Sequence, residues 1–146
     1  MNIEQVVVIT DEAARAFERL MPQLNPFHPA PGREALQAVV DSQAADILLA
    51  RDEAGMIIGT LTLVVFRTPA GVHAWIEDVV VDEAARGRGV GEALTRAGIA
   101  LARERGAGAV ELTSRPAREA ANRLYRRLGF RLRQTNLYRL EMSEFC

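Results

Sequence analysis

Lysine is absent: every one of the 18 basic side chains in these 146 residues is an arginine. That excludes a Schiff-base lysine, a pyridoxal site and a P-loop lysine at once. Cysteine is nearly absent too. Cys146, at the last position, is alone, which rules out a disulfide framework or a multi-cysteine zinc site and suits a reducing cytosol. Nothing supports it as a nucleophile, and at a chain end it is expected to fray. Two histidines, His28 and His73, are too few for a His-based metal site, so no metal is expected. They read as surface or loop residues, with His28 able to line an acceptor pocket from its proline-rich loop. No apolar run approaches the roughly 20 residues that span a bilayer, and no signal-peptide core opens the chain, so the expectation is cytoplasmic with no membrane partner.

What is present is ordinary globular material. Apolar residues make up 49% and charged residues 25%, enough for a core without staples, and the length fits one domain over 1–146. The net charge of −1 hides a division. Residues 1–85 carry a net −8, residues 86–139 a net +9, and 140–146 a net −2. A polyanionic ligand suits the basic half, and a cationic one the acidic half. The arginines alone do not make a nucleic-acid site, because no recognised motif or aromatic platform accompanies them.

Along the chain, Val6–Ile9 reads as a short β run. Thr10 is a good N-cap for a helix to about Leu24, with Ala13, Ala16, Phe17 and Leu20 on its apolar stripe. Four prolines between Pro22 and Gly32 mark a rigid loop, and a second helix runs from about Arg33 to Val40. Strands are expected at Ile47–Ala50, Met56–Phe66 and Val72–Val81, joined by turns at 52–55 and 68–71 as an antiparallel meander. A helix over Gly91–Arg105 leads to a strand at Val110–Thr113, a crossover that implies a parallel pair. A helix over Ala117–Leu128 ends at Gly129, and Phe130–Leu132 and Leu137–Met142 read as final strands. The class is therefore α/β (α+β): a mixed, mostly antiparallel sheet of about seven strands with about four helices on both faces.

The most informative segment joins the third long strand to the third helix: Arg86, Gly87, Arg88, Gly89, Val90, Gly91. Glycines at alternate positions let backbone approach a ligand and turn several N–H groups toward one point. The helix mouth adds its positive end, and Arg86 and Arg88 add bidentate phosphate donors. Together these make a pyrophosphate cradle. A dinucleotide fingerprint fits poorly, since the third glycine of GxGxxG would fall at Glu92 or Leu94; Glu111, 20 residues past Gly91, is what keeps that alternative open.

Arg86-x-x-Gly89-x-Gly91 after a strand resembles the (Q/R)xxGx(G/A) signature of the GCN5-related N-acetyltransferase (GNAT) family. The stretch Glu119 to Phe130, with Asn122, Tyr125, Gly129 and Phe130, resembles that family's next motif. The resemblance covers nearly the whole chain, most specifically residues 76–130. It implies a GNAT fold and an acetyl-CoA-dependent N-acetyltransferase, transferring directly to a small-molecule or protein primary amine in a ternary complex. It implies that the amides of Arg86 through Gly91 hold the pyrophosphate. It further implies that Val79, Val80 and Val81 pair with pantetheine, that Asn122 bonds the cofactor arm, and that Tyr125 protonates or orients the leaving thiolate. A homodimer is common in proteins of this type. The alternative is a non-catalytic acyl-CoA-binding or sensor module.

The chemistry needs a neutral amine, and lysine-like amines have a pKa near 10, so a base must take a proton directly or through water. A backbone N–H near Val79–Val80 would polarise the thioester carbonyl. Glu77 is the leading base, with Asp78 the alternative. By strand parity Glu77 lies with Trp75 and Val79, and Asp78 with Ile76 and Val80. In histone-type members the catalytic Glu falls two positions earlier, where this chain has Trp75. Arg115 and Arg118 are candidates to grip the 3′-phosphate, an acidic acceptor or neighbouring carboxylates.

Overall fold

The computed structural model describes residues 1–145; Cys146 lies outside the described residues. Two compact units are present, residues 1–113 and the part from Ser114 onward. In the first unit, β1 (Asn2–Gln5), β2 (Ala45–Arg51), β3 (Ile57–Thr68), β4 (Gly71–Val81) and β5 (Val110–Glu111) form one sheet in that spatial order. The first four are antiparallel neighbours and β5 runs parallel to β4. This mixed, mostly antiparallel sheet matches the expected class, and the parallel step after the crossover helix is as the connection rule requires.

Helix α1 (Asp11–Leu24) begins where expected, with the Thr10 side chain accepting the Ala13 N–H at 3.1 Å. With α2 (Arg33–Asp41) it covers one face of the sheet. There Phe17, Leu20 and Leu36 meet Ile47, Leu49, Ile57 and Val80 in a single buried cluster. Helix α3 (Val90–Glu104) covers the other face. It packs close: a Cβ added at Gly98 would lie 3.2 Å from the Leu61 side chain, and one at Gly59 3.1 Å from Val90 and Leu94. The missing side chain at Gly59 makes room for the Val90 and Leu94 side chains, which seats the N-terminal part of α3 over β3.

The second unit holds α4 (Glu119–Arg127) and a final 3₁₀ turn, Met142–Phe145. Gly129 takes φ 101°, its N–H bonds Arg126 O, and the Phe130 N–H bonds Tyr125 O. That is a Schellman closure, and the apolar contact that accompanies such closures is here Phe130 edge-on to Tyr125.

Three expected strands do not form. Val6–Ile9 is irregular and leaves Val7 and Val8 exposed. The first strand lies earlier, at Asn2–Gln5, paired with β2, where Arg51 Nε donates to the Glu4 carboxylate and Gln5 Nε2 donates to Asp46 Oδ1. Phe130–Leu132 and Leu137–Met142 alternate apolar with polar, yet Leu132 and Tyr138 stay 88% and 87% exposed. Alternation shows that a segment suits a sheet; a ladder also needs a partner edge, and these residues have none within the described chain. The sheet therefore has five strands, not seven. Among the described residues no helix is long and apolar enough to cross a membrane.

Candidate active site

The glycine segment sits between the end of β4 and α3, as the sequence implies. A 3₁₀ turn, Glu83–Ala85, leads in, capped by Asp82, whose carboxylate accepts the Ala84 N–H. Gly87 and Gly89 take φ 82° and 79°, the left-handed region where a side chain is strained, and both are exposed with open space where a Cβ would stand. Gly89 is the N-cap of α3 and offers no side chain to it, in contrast to Thr10 at α1. Among the described residues nothing accepts the N–H groups of Gly87, Arg88, Gly89, Val90 or Gly91. A helix mouth with bare amides and a positive dipole end is an anion site in waiting. Arg88 beside it is exposed, and so is Arg86, whose Nε reaches back to Val81 O at 3.4 Å.

The strand leading to that mouth has a free edge. β5 pairs with β4 only through Ala74 and Trp75, so Ile76 to Val81 has no neighbour on that side among the described residues. On the other side, Thr60 pairs with Val80 and Thr62 with Glu77, so Leu61 alone faces both Asp78 and Val79. This two-for-one bulge puts Asp78 at φ 50°, the one non-glycine residue of positive φ among those described. Thr60 and Thr62 share a face, so Glu77 and Val80 do too. The parity expected from the sequence, Val80 with Asp78 on the opposite face from Glu77, is thereby corrected. Val80 belongs to the cluster beneath α1 and α2, which places Glu77 on that side of the sheet. The Glu77 carboxyl is pushed above the usual carboxylate range, first by desolvation and next by the charge of Asp78.

In the second unit, Tyr125 is buried and its hydroxyl is held above the usual tyrosine range by desolvation, with Arg118 pulling weakly the other way. Asn122 lies one turn earlier on α4. Its Nδ2 donates at 2.9 Å to both Arg115 O and Arg118 O, closing the turn that enters the helix. Its donor protons are thus spent locally, and Oδ1 is the atom left to receive a partner. The side chains of Arg115 and Arg118 are exposed.

Residues 10–130 match the acetyltransferase (GNAT) family. The chain belongs to that family. It is 37% identical over 137 residues to a mycothiol acetyltransferase of Renibacterium salmoninarum, covering 88% of this chain and 40% of that one. It spans about two-fifths of the length of the curated relatives it matches. A solved acetyltransferase of Trypanosoma brucei is 28% identical, with a TM-score of 0.74 over 96% of this chain and 99% of that one. A mutant of the BH1408 protein from Bacillus halodurans has a TM-score of 0.82 at 23% identity, over 97% of this chain and 99% of that one, a likeness of fold.

Members of the GNAT family use acetyl-CoA as co-substrate. In this GNAT chain the loop, the free β4 edge and Glu77 all lie in the first unit, while Tyr125 and Asn122 lie in the second. Sequence reasoning missed how the loop is anchored. Arg19 Nε donates to Asp82 Oδ2 at 3.1 Å, and the same guanidinium donates to Ile57 O. Gln23 Oε1 accepts the Glu83 N–H at 2.9 Å. Burial alone would raise the Asp82 carboxyl, but the Ala84 N–H, Arg19 and Gln23 outweigh it and hold it below the usual range. Between 38 and 63 positions separate the members of these pairs, so no local pattern announces them.

Proposed function

We propose that this chain transfers an acetyl group from acetyl-CoA to a primary amine, directly and in a ternary complex, with residues 1–146 acting as one N-acetyltransferase domain. The observation that carries the reading is the free edge of β4 opening onto the uncapped mouth of α3. Pantetheine carries two amides, and along Val79–Val81 it meets strand backbone with no neighbour, as an added strand does. The pyrophosphate then reaches the bare amides of Gly87 to Gly91, with Arg86 and Arg88 alongside.

In the proposed reaction Glu77 takes the proton from the ammonium form of the acceptor, directly or through water. A pKa raised toward neutrality suits a base that must also let the proton go. The amine attacks the thioester carbon, and a strand backbone N–H where the bulge interrupts the register, around Asp78 to Val80, steadies the oxyanion. The carbon–sulfur bond breaks, and Tyr125 gives its proton to, or orients, the leaving thiolate. Its raised pKa keeps that proton in place until then. The proton shed by the acylated nitrogen goes back to Tyr125 or to water. Asn122 supports the cofactor arm through Oδ1. The net −8 of residues 1–85 favours a cationic acceptor, a small molecule or a protein amine. The reading places the protein in the cytoplasm, in keeping with its single cysteine. It also takes the protein as a homodimer, for which the exposed Leu132, Leu137, Tyr138 and Leu140 offer apolar surface. Sedimentation equilibrium tests that, and a monomer at micromolar concentration refutes it.

The deciding experiment follows free thiol release from acetyl-CoA across a panel of primary amines. Turnover with at least one cationic amine is expected. Tight acetyl-CoA binding with no turnover on any amine would instead leave the sensor module.

A further inference from the structure

We propose that Arg19, on α1, is a positioning residue for the cofactor loop: clamped to Asp82 and to the end of β3, it fixes the root from which the pyrophosphate-binding amides are aimed. The inference rests on the acetyl-CoA reading of that loop. Asp82 is the hinge point. Its N–H bonds Ile58 O at 2.8 Å, its Oδ1 takes the Ala84 N–H at 3.2 Å, and its Oδ2 takes Arg19 Nε at 3.1 Å. Arg19 reaches in the same reach to Ile57 O, so one planar guanidinium spans strand end and loop root. Gln23, one turn along the same helix face, holds the next amide at Glu83. Three contacts from one helix thus converge on Ile57, Asp82 and Glu83, immediately before the glycines that have no side chains to steady them.

The arrangement answers an electrostatic problem as well as a geometric one. A loop built to receive a diphosphate has a carboxylate at its base, with a side chain only 14% exposed. Uncompensated, that charge opposes the incoming anion. Arg19 is committed to Asp82 and Ile57, so it neutralises the carboxylate without serving as a phosphate ligand, a role left to Arg86 and Arg88. Helix α1 also covers the sheet face on which Glu77 stands, so the clamp joins the side that would receive the amine to the loop that would receive the cofactor.

The test separates the diphosphate from the rest of the cofactor. Calorimetry measures coenzyme A affinity, and steady-state kinetics use acetyl-CoA and S-acetylpantetheine, which lacks the diphosphate. Arg19→Ala is expected to weaken coenzyme A binding about tenfold, the scale of one lost charge-assisted contact, while kinetics with S-acetylpantetheine stay at wild-type values. Adding Asp82→Asn, which keeps an acceptor for the Ala84 N–H and drops the charge, should recover only the electrostatic part of the loss, and full recovery without the clamp would overturn the positioning role. Wild-type affinity in Arg19→Ala, or equal losses with both thioesters, overturns the clamp. If Arg19→Ala does not fold, Arg19→Gln, which keeps a donor without the charge, carries the same comparison. A wild-type protein that fails to bind coenzyme A overturns the acetyl-CoA reading itself, a result distinct from an unaffected Arg19 variant.

Discussion

Glu77 and Val80, three positions apart on β4, point to the same face of the sheet. In an unbroken strand they would point to opposite faces. The bulge between them inserts one residue, turns Asp78 into the left-handed region and interrupts the ladder where a thioester carbonyl would need donors. It also puts the leading base candidate on the side of the sheet covered by α1 and α2.

A β-branched residue at Asp78 will disturb this geometry. Asp and Asn tolerate positive φ and valine does not, so Asp78→Val should lower stability by about 1–2 kcal/mol while Asp78→Asn stays near wild type. Urea denaturation of the two variants reads the difference. Equal stabilities would mean that the backbone at 78 is not held in this conformation.

Glu77→Gln separates the base from the bystander. With the Glu77 carboxyl raised, its anionic form is the penalised one in the folded state. Stability associated with the protonated form is present at low pH and is lost as pH rises through the raised value. Glu77→Gln should therefore be slightly more stable than wild type at neutral pH, with the gap closing in acid. Its turnover should fall most at low pH, where the acceptor amine is mostly protonated. Paired melting curves and pH–rate profiles check both signs; an unaltered profile transfers the role to Asp78 or to water.

At the helix mouth, Gly89→Glu places bulk and negative charge among the bare amides and strains a residue at φ 79°. Acetyl-CoA binding should be abolished by calorimetry. Gly89→Ala supplies the milder comparison, costing about 1 kcal/mol of stability from backbone strain. Unchanged affinity in the glutamate variant would remove the loop from the cofactor site.

Tyr125→Phe keeps the ring edge-on to Phe130 and removes only the hydroxyl. Turnover should drop by about a hundredfold, the low end for a general acid, with acetyl-CoA affinity nearly intact. Wild-type turnover would reduce Tyr125 to its place in the Schellman closure.

Much of the candidate site's local structure was legible because it is written in local signals. Gly87, Gly89 and Gly91 announce their loop by spacing, Thr10 announces α1 by capping chemistry, and Gly129-Phe130 announces the end of α4. Each depends on neighbours within a turn or two, so chain order suffices. Glu77 was legible as a costly acid in an apolar strand, but its facing was not, because parity counts residues and a bulge breaks the count.

By itself, then, the sequence determined four helices, the meander, the parallel crossover and the residue types at the helix mouth, since helix caps, turns and periodicity are properties of short stretches of chain. Tertiary structure alone decided the rest. The register of β3 on β4 chose where the extra residue sits, and with it the facing of Glu77. The fold brought Arg19 to Asp82 across 63 positions. It also withheld partners from Phe130–Leu132 and Leu137–Met142 despite their alternation. Pairing between distant segments depends on which edges and charges meet in space, and no local pattern carries that information.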